Sequence, residues 1–119
     1  MSTTIYHNPR CSKSRQTLEL LNSHGAKPTV VEYLTTPPDA QTLNEVLRLL
    51  NMEPRDLMRK HEDEYKDNHL ADDSLSREQL IAAMMKYPKI IERPIVITEH
   101  NGKCQAAIGR PPESVLDIL

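Results

Sequence analysis

The apolar pattern of this chain changes twice, and each change limits the folds it can adopt. Strand-like and helix-like segments alternate up to about residue 36, helical periodicity fills residues 37–88, and strands follow Pro88. A strand–helix–strand opening places its two strands in parallel, whereas a hairpin adds antiparallel strands. The sequence therefore predicts an α/β protein with a mixed sheet and a helical block in the middle.

Local signals place the elements of the first part of the chain. Thr3–Tyr6 is predicted to be a strand that ends in the polar loop at residues 7–10. A helix should follow, because Leu18 and Leu21 lie one turn apart on the same face and Gly25 stands just beyond its end. The second strand is predicted to contain Val30, Val31, Tyr33 and Leu34.

The middle block carries helix signals throughout. Pro54 suits the first position of a helix, and Ser76 forms a capping-box pattern with Gln79. An amphipathic helix is predicted from the i, i+3, i+4, i+7 spacing of Leu43, Val46, Leu47 and Leu50.

The last third of the chain returns to strands. Ile95–Ile97 is a short β-branched run. Asn101-Gly102 is a strong signal for a two-residue hairpin, and its second strand should be Lys103–Ile108. A short final helix is predicted to begin at Pro111 and Pro112.

This element order is that of a thioredoxin-like fold. We predict a mixed sheet of about four strands, with a helical insertion between strands two and three at about residues 37–88. A length of 119 residues suits one domain with its own core, so a single domain is expected over residues 1–119.

Composition disfavours two classes of protein. Nucleic-acid binding is disfavoured, because it depends on basic surfaces and on aromatic rings that stack with bases. This chain has a formal net charge of −2, and its only aromatic residues are four Tyr. The longest apolar run, Leu80–Met85, is far below the ~20 residues of a membrane helix. No apolar stretch follows Met1, so we expect a cytoplasmic protein without membrane or nucleic-acid partners.

The chain contains two cysteines, Cys11 and Cys104. A structural disulfide is unexpected in a reducing cytosol, and two such distant cysteines make no zinc framework. His7 and Cys11 are too little for a metal site by themselves, so no metal and no bound cofactor are predicted. Cys104 is interpreted as incidental, with a role as a resolving thiol as the alternative.

Cys11 is placed where the first strand ends and the first helix begins. Unpaired N–H groups and the helix dipole favour a thiolate there, and Arg10, Lys13 and Arg15 should act in the same sense. The alternative is a buried structural thiol. The polar neighbours make that alternative the weaker one.

Two familiar cysteine motifs are missing around Cys11. Ser14 stands three residues later, so the C-x-x-C redox pair is absent. Thr17 stands six residues later, where cysteine-based phosphatases carry an arginine. The pattern therefore predicts a site with one thiol that is not phosphatase-like.

Four segments, in this order, resemble the glutaredoxin-linked arsenate reductase family over nearly the whole chain. They are Tyr6–Arg15, Leu57–Lys60, Glu92–Val96 and Ile108–Glu113. The resemblance implies an oxidoreductase that reduces arsenate to arsenite, with glutathione as co-substrate and glutaredoxin as partner. It also implies that Pro94 follows a cis peptide bond and faces the thiol, as the corresponding proline does in thioredoxin-like folds.

The same resemblance assigns roles to six residues. It implies a nucleophile at Cys11, support for its thiolate from His7 and Ser14, and an anion clamp of three arginines, Arg59, Arg93 and Arg110. Arginine suits that clamp because it keeps its charge and matches paired oxygens. For His7 two interpretations stay open, an imidazolium that stabilises the thiolate and a hydrogen bond within the loop.

Two other functions share this scaffold. One is a glutathione-dependent reductase of mixed disulfides. The other is a non-enzymatic transcriptional regulator that resembles the Spx-type proteins, which typically carry the C-x-x-C switch that Ser14 removes here.

Overall fold

The computed structural model describes residues 1–119 and contains four strands and four α-helices in the expected order. Short 3-10 segments complete it at Pro54–Leu57, Pro88–Ile90 and Pro112–Ile118. The strands and helices are β1 Ser2–His7, α1 Ser12–Ser23, β2 Thr29–Glu32, α2 Ala40–Leu50, α3 Asp63–Asp67, α4 Arg77–Lys86, β3 Ile95–His100 and β4 Lys103–Ile108.

The chain divides into two units. The sheet unit comprises Met1–Thr36 and Arg93–Leu119, and the helical unit comprises Pro37–Glu92. The predicted helical segment between the second and third strands is therefore confirmed, while the single-domain organisation over residues 1–119 stays a prediction.

In the sheet unit the strand order is β2-β1-β3-β4. β1 pairs with β2 in parallel, and β3 pairs with both β1 and β4 in antiparallel fashion, so the sheet is mixed as predicted. Register places the carboxyl ends of β1, β2 and β4 beside the amino end of β3. We call this end of the sheet the carboxyl edge; it is marked by the paired residues His7 and Glu32, Tyr6 and Ile95, and Ile95 and Ile108.

The core of the sheet unit lies between the sheet and α1. It consists of Ile5, Leu21, Val96, Val115 and Ile118, all buried. Burying one such side chain fully stabilises a fold by ~1.5–3 kcal/mol. Side chains along β1 alternate between a buried and a half-exposed face, so the alternation that buries Ile5 also buries His7 at the strand's end.

Side-chain caps begin two of the helices in the helical unit. The Asp39 side chain accepts a hydrogen bond from the Thr42 N–H at 2.8 Å and begins α2. In α4 the predicted capping box is confirmed, with reciprocal Ser76–Gln79 hydrogen bonds of 2.8 and 3.1 Å. The buried faces of the two helices are formed by Leu43, Val46, Leu47, Leu80, Ile81 and Met84. None of the helices is both long and apolar enough to cross a membrane.

The second strand is shorter than predicted. It ends at Glu32, because the Thr35 and Thr36 N–H groups both turn back to the Glu32 carbonyl. Tyr33 therefore follows the strand, and its side chain is only 1% exposed. The absence of Trp and Phe predicts a core of Leu, Ile, Val and Met alone; that prediction is wrong, since Tyr33 and Tyr65 are buried as well.

Candidate active site

Cys11 is the N-cap residue of α1, at the carboxyl edge of the sheet. Its N–H donates to the Asn8 carbonyl at 3.0 Å, and its carbonyl accepts from the Arg15 N–H at 3.0 Å. These two bonds join the loop to the first helical turn and leave the side chain half-buried. The predicted junction of strand, loop and helix is confirmed.

The pKa of the Cys11 thiol is lowered from its ordinary value by its surroundings. Burial is the largest single influence and raises the pKa, but hydrogen bonds from the Ser14 N–H, the Arg93 guanidinium and the Lys13 N–H together outweigh it. The principal positive charge acting on the sulfur is that of Arg93. The charged ends of Arg10, Lys13 and Arg15, expected to help, are not among these principal causes.

We expect Arg93→Ala to raise the pKa of Cys11 clearly, and Lys13→Ala to leave it almost unchanged, because only the backbone N–H of Lys13 acts on the sulfur. The measurement is thiolate absorbance against pH in a Cys104→Ser background. A parent pKa at or above the free value of about 8.5 would contradict an activated thiol.

The same shift makes folding stability depend on pH. A pKa lowered on folding adds stability above the unfolded pKa, and that stability is lost as the pH falls through the folded pKa. The melting temperature of the parent should therefore fall relative to that of Cys11→Ser as the pH is lowered through the folded pKa of Cys11.

A buried polar cluster lies at the junction of β1 and α1 and consists of His7, Asn8 and Ser14. The His7 Nδ1 lies 2.6 Å from the Ser14 hydroxyl, which also accepts the Asn8 N–H at 3.0 Å. Burial is the main cause of a lowered pKa at His7; Glu32 opposes it and Arg15 reinforces it. A neutral imidazole at neutral pH favours the hydrogen-bonded interpretation of His7 over the imidazolium. Ser14 in turn holds the N–H that faces the sulfur.

Two of the three predicted arginines meet at the thiol. Arg110 places its Nη2 3.5 Å from the Cys11 Sγ and donates from Nε to the Arg93 carbonyl at 2.7 Å. The Arg93 guanidinium hydrogen-bonds the same sulfur. Hairpin pairing explains the meeting, because Arg93 lies just before β3 and Arg110 just after β4, at the carboxyl edge.

The peptide bond before Pro94 is cis, as predicted, and the bond before Pro111 is cis as well. Both prolines directly follow an arginine of the site. The Pro94 carbonyl accepts the Gly109 N–H at 2.9 Å, which joins the segments that carry Arg93 and Arg110.

Gly109 is needed for this close approach. A Cβ at this position would overlap the Thr17 hydroxyl oxygen and come within 2.8 Å of the Pro94 ring. We expect Gly109→Ala to lower the free energy of unfolding by ~1–3 kcal/mol, the usual cost of overpacking. Thr17→Ala should cost less in the Gly109→Ala background than in the parent, because it frees the space. Denaturant melts measure both, and a Gly109→Ala protein as stable as the parent would contradict this packing.

The third predicted arginine, Arg59, belongs to the helical unit. Its guanidinium forms ion pairs with Glu92 at 3.0 Å and Glu62 at 3.4 Å. Its place in an anion clamp stays a prediction from the resemblance. The second cysteine, Cys104, is half-buried on β4 opposite Glu99, whose carboxylate lies 3.8 Å from its sulfur.

Tyr33 and Asn8 belong to the site although the sequence did not mark them. Asn8 is buried, and its side-chain oxygen accepts the Arg10 N–H at 3.0 Å. Tyr33 faces Arg93, Asn8 and Cys11 through its hydroxyl. Their positions in the sequence could have indicated them, because each residue directly follows a strand that ends at the carboxyl edge. No cluster of three or more His, Cys, Asp or Glu side chains could hold a metal ion.

The fold and the site together define a thioredoxin-like α/β protein with one activated cysteine at the start of its first helix. Residues 6–118 match the ArsC family. An arsenate reductase from Escherichia coli is 43% identical over 116 residues, which cover 98% of this chain and 79% of that protein. The chain therefore belongs to the ArsC family.

Two further relatives extend the comparison. A protein of Escherichia coli K12 named "Uncharacterized protein YfgD" is 60% identical over 116 residues, covering 97% of this chain and 94% of that one. The solved structure of an arsenate reductase from Vibrio cholerae superposes with a TM-score of 0.91 at 51% identity, and covers 100% of this chain and 98% of that chain.

Proposed function

We propose that this protein is an oxidoreductase that reduces arsenate to arsenite, with Cys11 as the nucleophile. The observation that carries the proposal is the sulfur of Cys11, whose lowered pKa coincides with hydrogen bonds from two arginines. Arsenate resembles phosphate and carries about −1.5 to −2 charges near neutral pH. A thiolate repels such an anion, so the attack needs the positive charge that Arg93 and Arg110 concentrate at the sulfur.

The reduction of arsenic balances with one glutathione thiol, and glutaredoxin then regenerates the site. Attack by the Cys11 thiolate forms an S–As bond and breaks an As–O bond, whose oxygen leaves as water after protonation. A glutathione thiolate then attacks the Cys11 sulfur, and the S–As electron pair stays on arsenic, which departs as arsenite. Arsenic gains two electrons, and the two thiols lose them as they become a mixed disulfide. A glutaredoxin thiolate then attacks the glutathione sulfur of that disulfide, which releases the Cys11 thiolate and leaves glutathione bound to glutaredoxin, and a second glutathione reduces that disulfide.

The remaining residues support this cycle. The Ser14 N–H stabilises the thiolate, and His7 orients Ser14 through its hydroxyl. Because Ser14 replaces the second cysteine of a C-x-x-C pair, an external reductant has to complete the reaction. Glutathione is thus a co-substrate in this proposal, and the cytoplasm, which keeps thiols reduced, is the compartment it implies.

A coupled assay tests the function. The protein is incubated with arsenate, glutathione, glutaredoxin, glutathione reductase and NADPH, and NADPH oxidation is followed. We expect oxidation that requires both the protein and arsenate, and that phosphate does not replace. Oxidation that does not depend on arsenate would contradict the proposal and favour a disulfide reductase.

A further inference from the structure

Tyr33 is a buried aromatic residue whose hydroxyl has no part in the cycle above. It directly follows β2, whose last residue Glu32 is paired with His7, so Tyr33 stands level with Asn8 at the carboxyl edge. Its side chain is 1% exposed and its oxygen is shielded from solvent. Packing explains the ring, but it does not explain a hydroxyl in this position.

Two donor groups face that hydroxyl oxygen, the side-chain amide of Asn8 and the guanidinium of Arg93. Neither of them forms a regular hydrogen bond with it in the free protein. Buried polar groups are nearly always satisfied, so an incomplete contact at a thiol site calls for an explanation. Catalytic hydrogen bonds are often long or misaligned in the free protein and tighten when the substrate binds.

We propose that Tyr33 is a positioning residue, whose hydroxyl holds the Arg93 guanidinium against the Cys11 sulfur and against the oxyanion that the sulfur attacks. The part that concerns the oxyanion rests on the proposed function, whereas the effect on the thiol does not. The orientation of Arg93 matters because the same guanidinium contacts the sulfur and, in the proposed function, the bound anion.

The protonation state of Tyr33 fits this role. Burial raises the pKa of Tyr33, and it outweighs the lowering by Arg93 and Asn8. The hydroxyl therefore stays neutral at physiological pH and leaves the charge of Arg93 available to the site. A phenolate there would neutralise Arg93 and repel the thiolate.

The test compares Tyr33→Phe with Tyr65→Phe, which removes the hydroxyl of another buried tyrosine, in the helical unit. Tyr33→Phe should raise the pKa of Cys11 and lower kcat for arsenate roughly ten- to a hundredfold, the range that small misplacements of catalytic groups cause. Thermal melts should stay near the parent. Tyr65→Phe should change neither the thiol pKa nor kcat.

The two readouts separate this inference from the proposed function, because the thiol titration needs no arsenate. An unchanged thiol pKa with unchanged kcat in Tyr33→Phe overturns the positioning role, even if the parent reduces arsenate. If Tyr33→Phe does not fold, NMR of ring-labelled tyrosine in Arg93→Ala replaces it. The pKa of Tyr33 should then rise, since Arg93 lowers it, and an unchanged value overturns the inference.

Discussion

Cys11→Ser should abolish arsenate-dependent NADPH oxidation in the coupled assay. A serine hydroxyl stays protonated at neutral pH and cannot supply electrons by forming a disulfide, so both the attack and the reduction are lost. The Ser side chain nearly preserves the size of the residue at the N-cap, and the fold should persist. Far-ultraviolet circular dichroism is the control for folding.

Cys104→Ser is the matched variant and should keep most of the activity. Cys104 lies four residues before Ile108 along β4, so it stands ~13 Å from the carboxyl edge at a strand rise of about 3.3 Å per residue. A disulfide allows Cα atoms no more than about 7 Å apart. Equal losses in the two variants would mean that an internal Cys11–Cys104 disulfide forms after all, and would contradict the dependence on an external thiol.

Arg93→Ala and Arg110→Ala should each slow arsenate reduction roughly a hundred- to a thousandfold, or ~2.7–4 kcal/mol, the usual cost of losing one donor to a developing anion. Both guanidinium groups contact the Cys11 sulfur, where the oxyanion becomes bonded. Lysine at either position should restore part of the rate, because it keeps the charge but loses the paired geometry. Steady-state kinetics measures both effects.

An exposed arginine of the helical unit supplies the control for these variants. Arg48 pairs with Glu45 on the surface of α2, and Arg48→Ala should leave the rate unchanged. Arg110→Ala should also leave the melting temperature nearly unchanged, since Arg110 is exposed. If Arg93→Ala and Arg110→Ala both reduce arsenate at rates within a few-fold of the parent, the two arginines do not form an anion clamp. A disulfide reductase or a regulator would then explain the thiol better.

Local sequence signals were sufficient where one segment determines its own structure. The Ser76–Gln79 capping box and the Asn101-Gly102 turn formed as predicted, because their hydrogen bonds join residues close in sequence. The end of β2 was not predictable in this way. Val30, Val31 and Tyr33 favour a strand by composition, but the turn at Glu32 ends it and leaves Tyr33 for the site.

The position of Cys11 at a strand–helix junction was therefore visible in the sequence, and so was its general acidity. The groups that lower its pKa were not. The sequence predicts that the neighbouring cations Arg10, Lys13 and Arg15 lower the pKa. In the structure the positive charge that acts on the sulfur is chiefly that of Arg93. A side chain's distance from the sulfur depends on its direction, and residues next to a helix N-cap can point into solvent.

The sequence by itself determined the order of the elements, the caps and turns that bound them, and the single thiol at the start of α1. Tertiary structure alone decided which charges reach that thiol and in which direction burial shifts the pKa values of His7 and Tyr33 beside it. The physical reason is that capping and turn formation act over a few residues. Arg93, Arg110 and Tyr33, in contrast, meet Cys11 only after four strands pair in register and bring their flanking segments to the same edge.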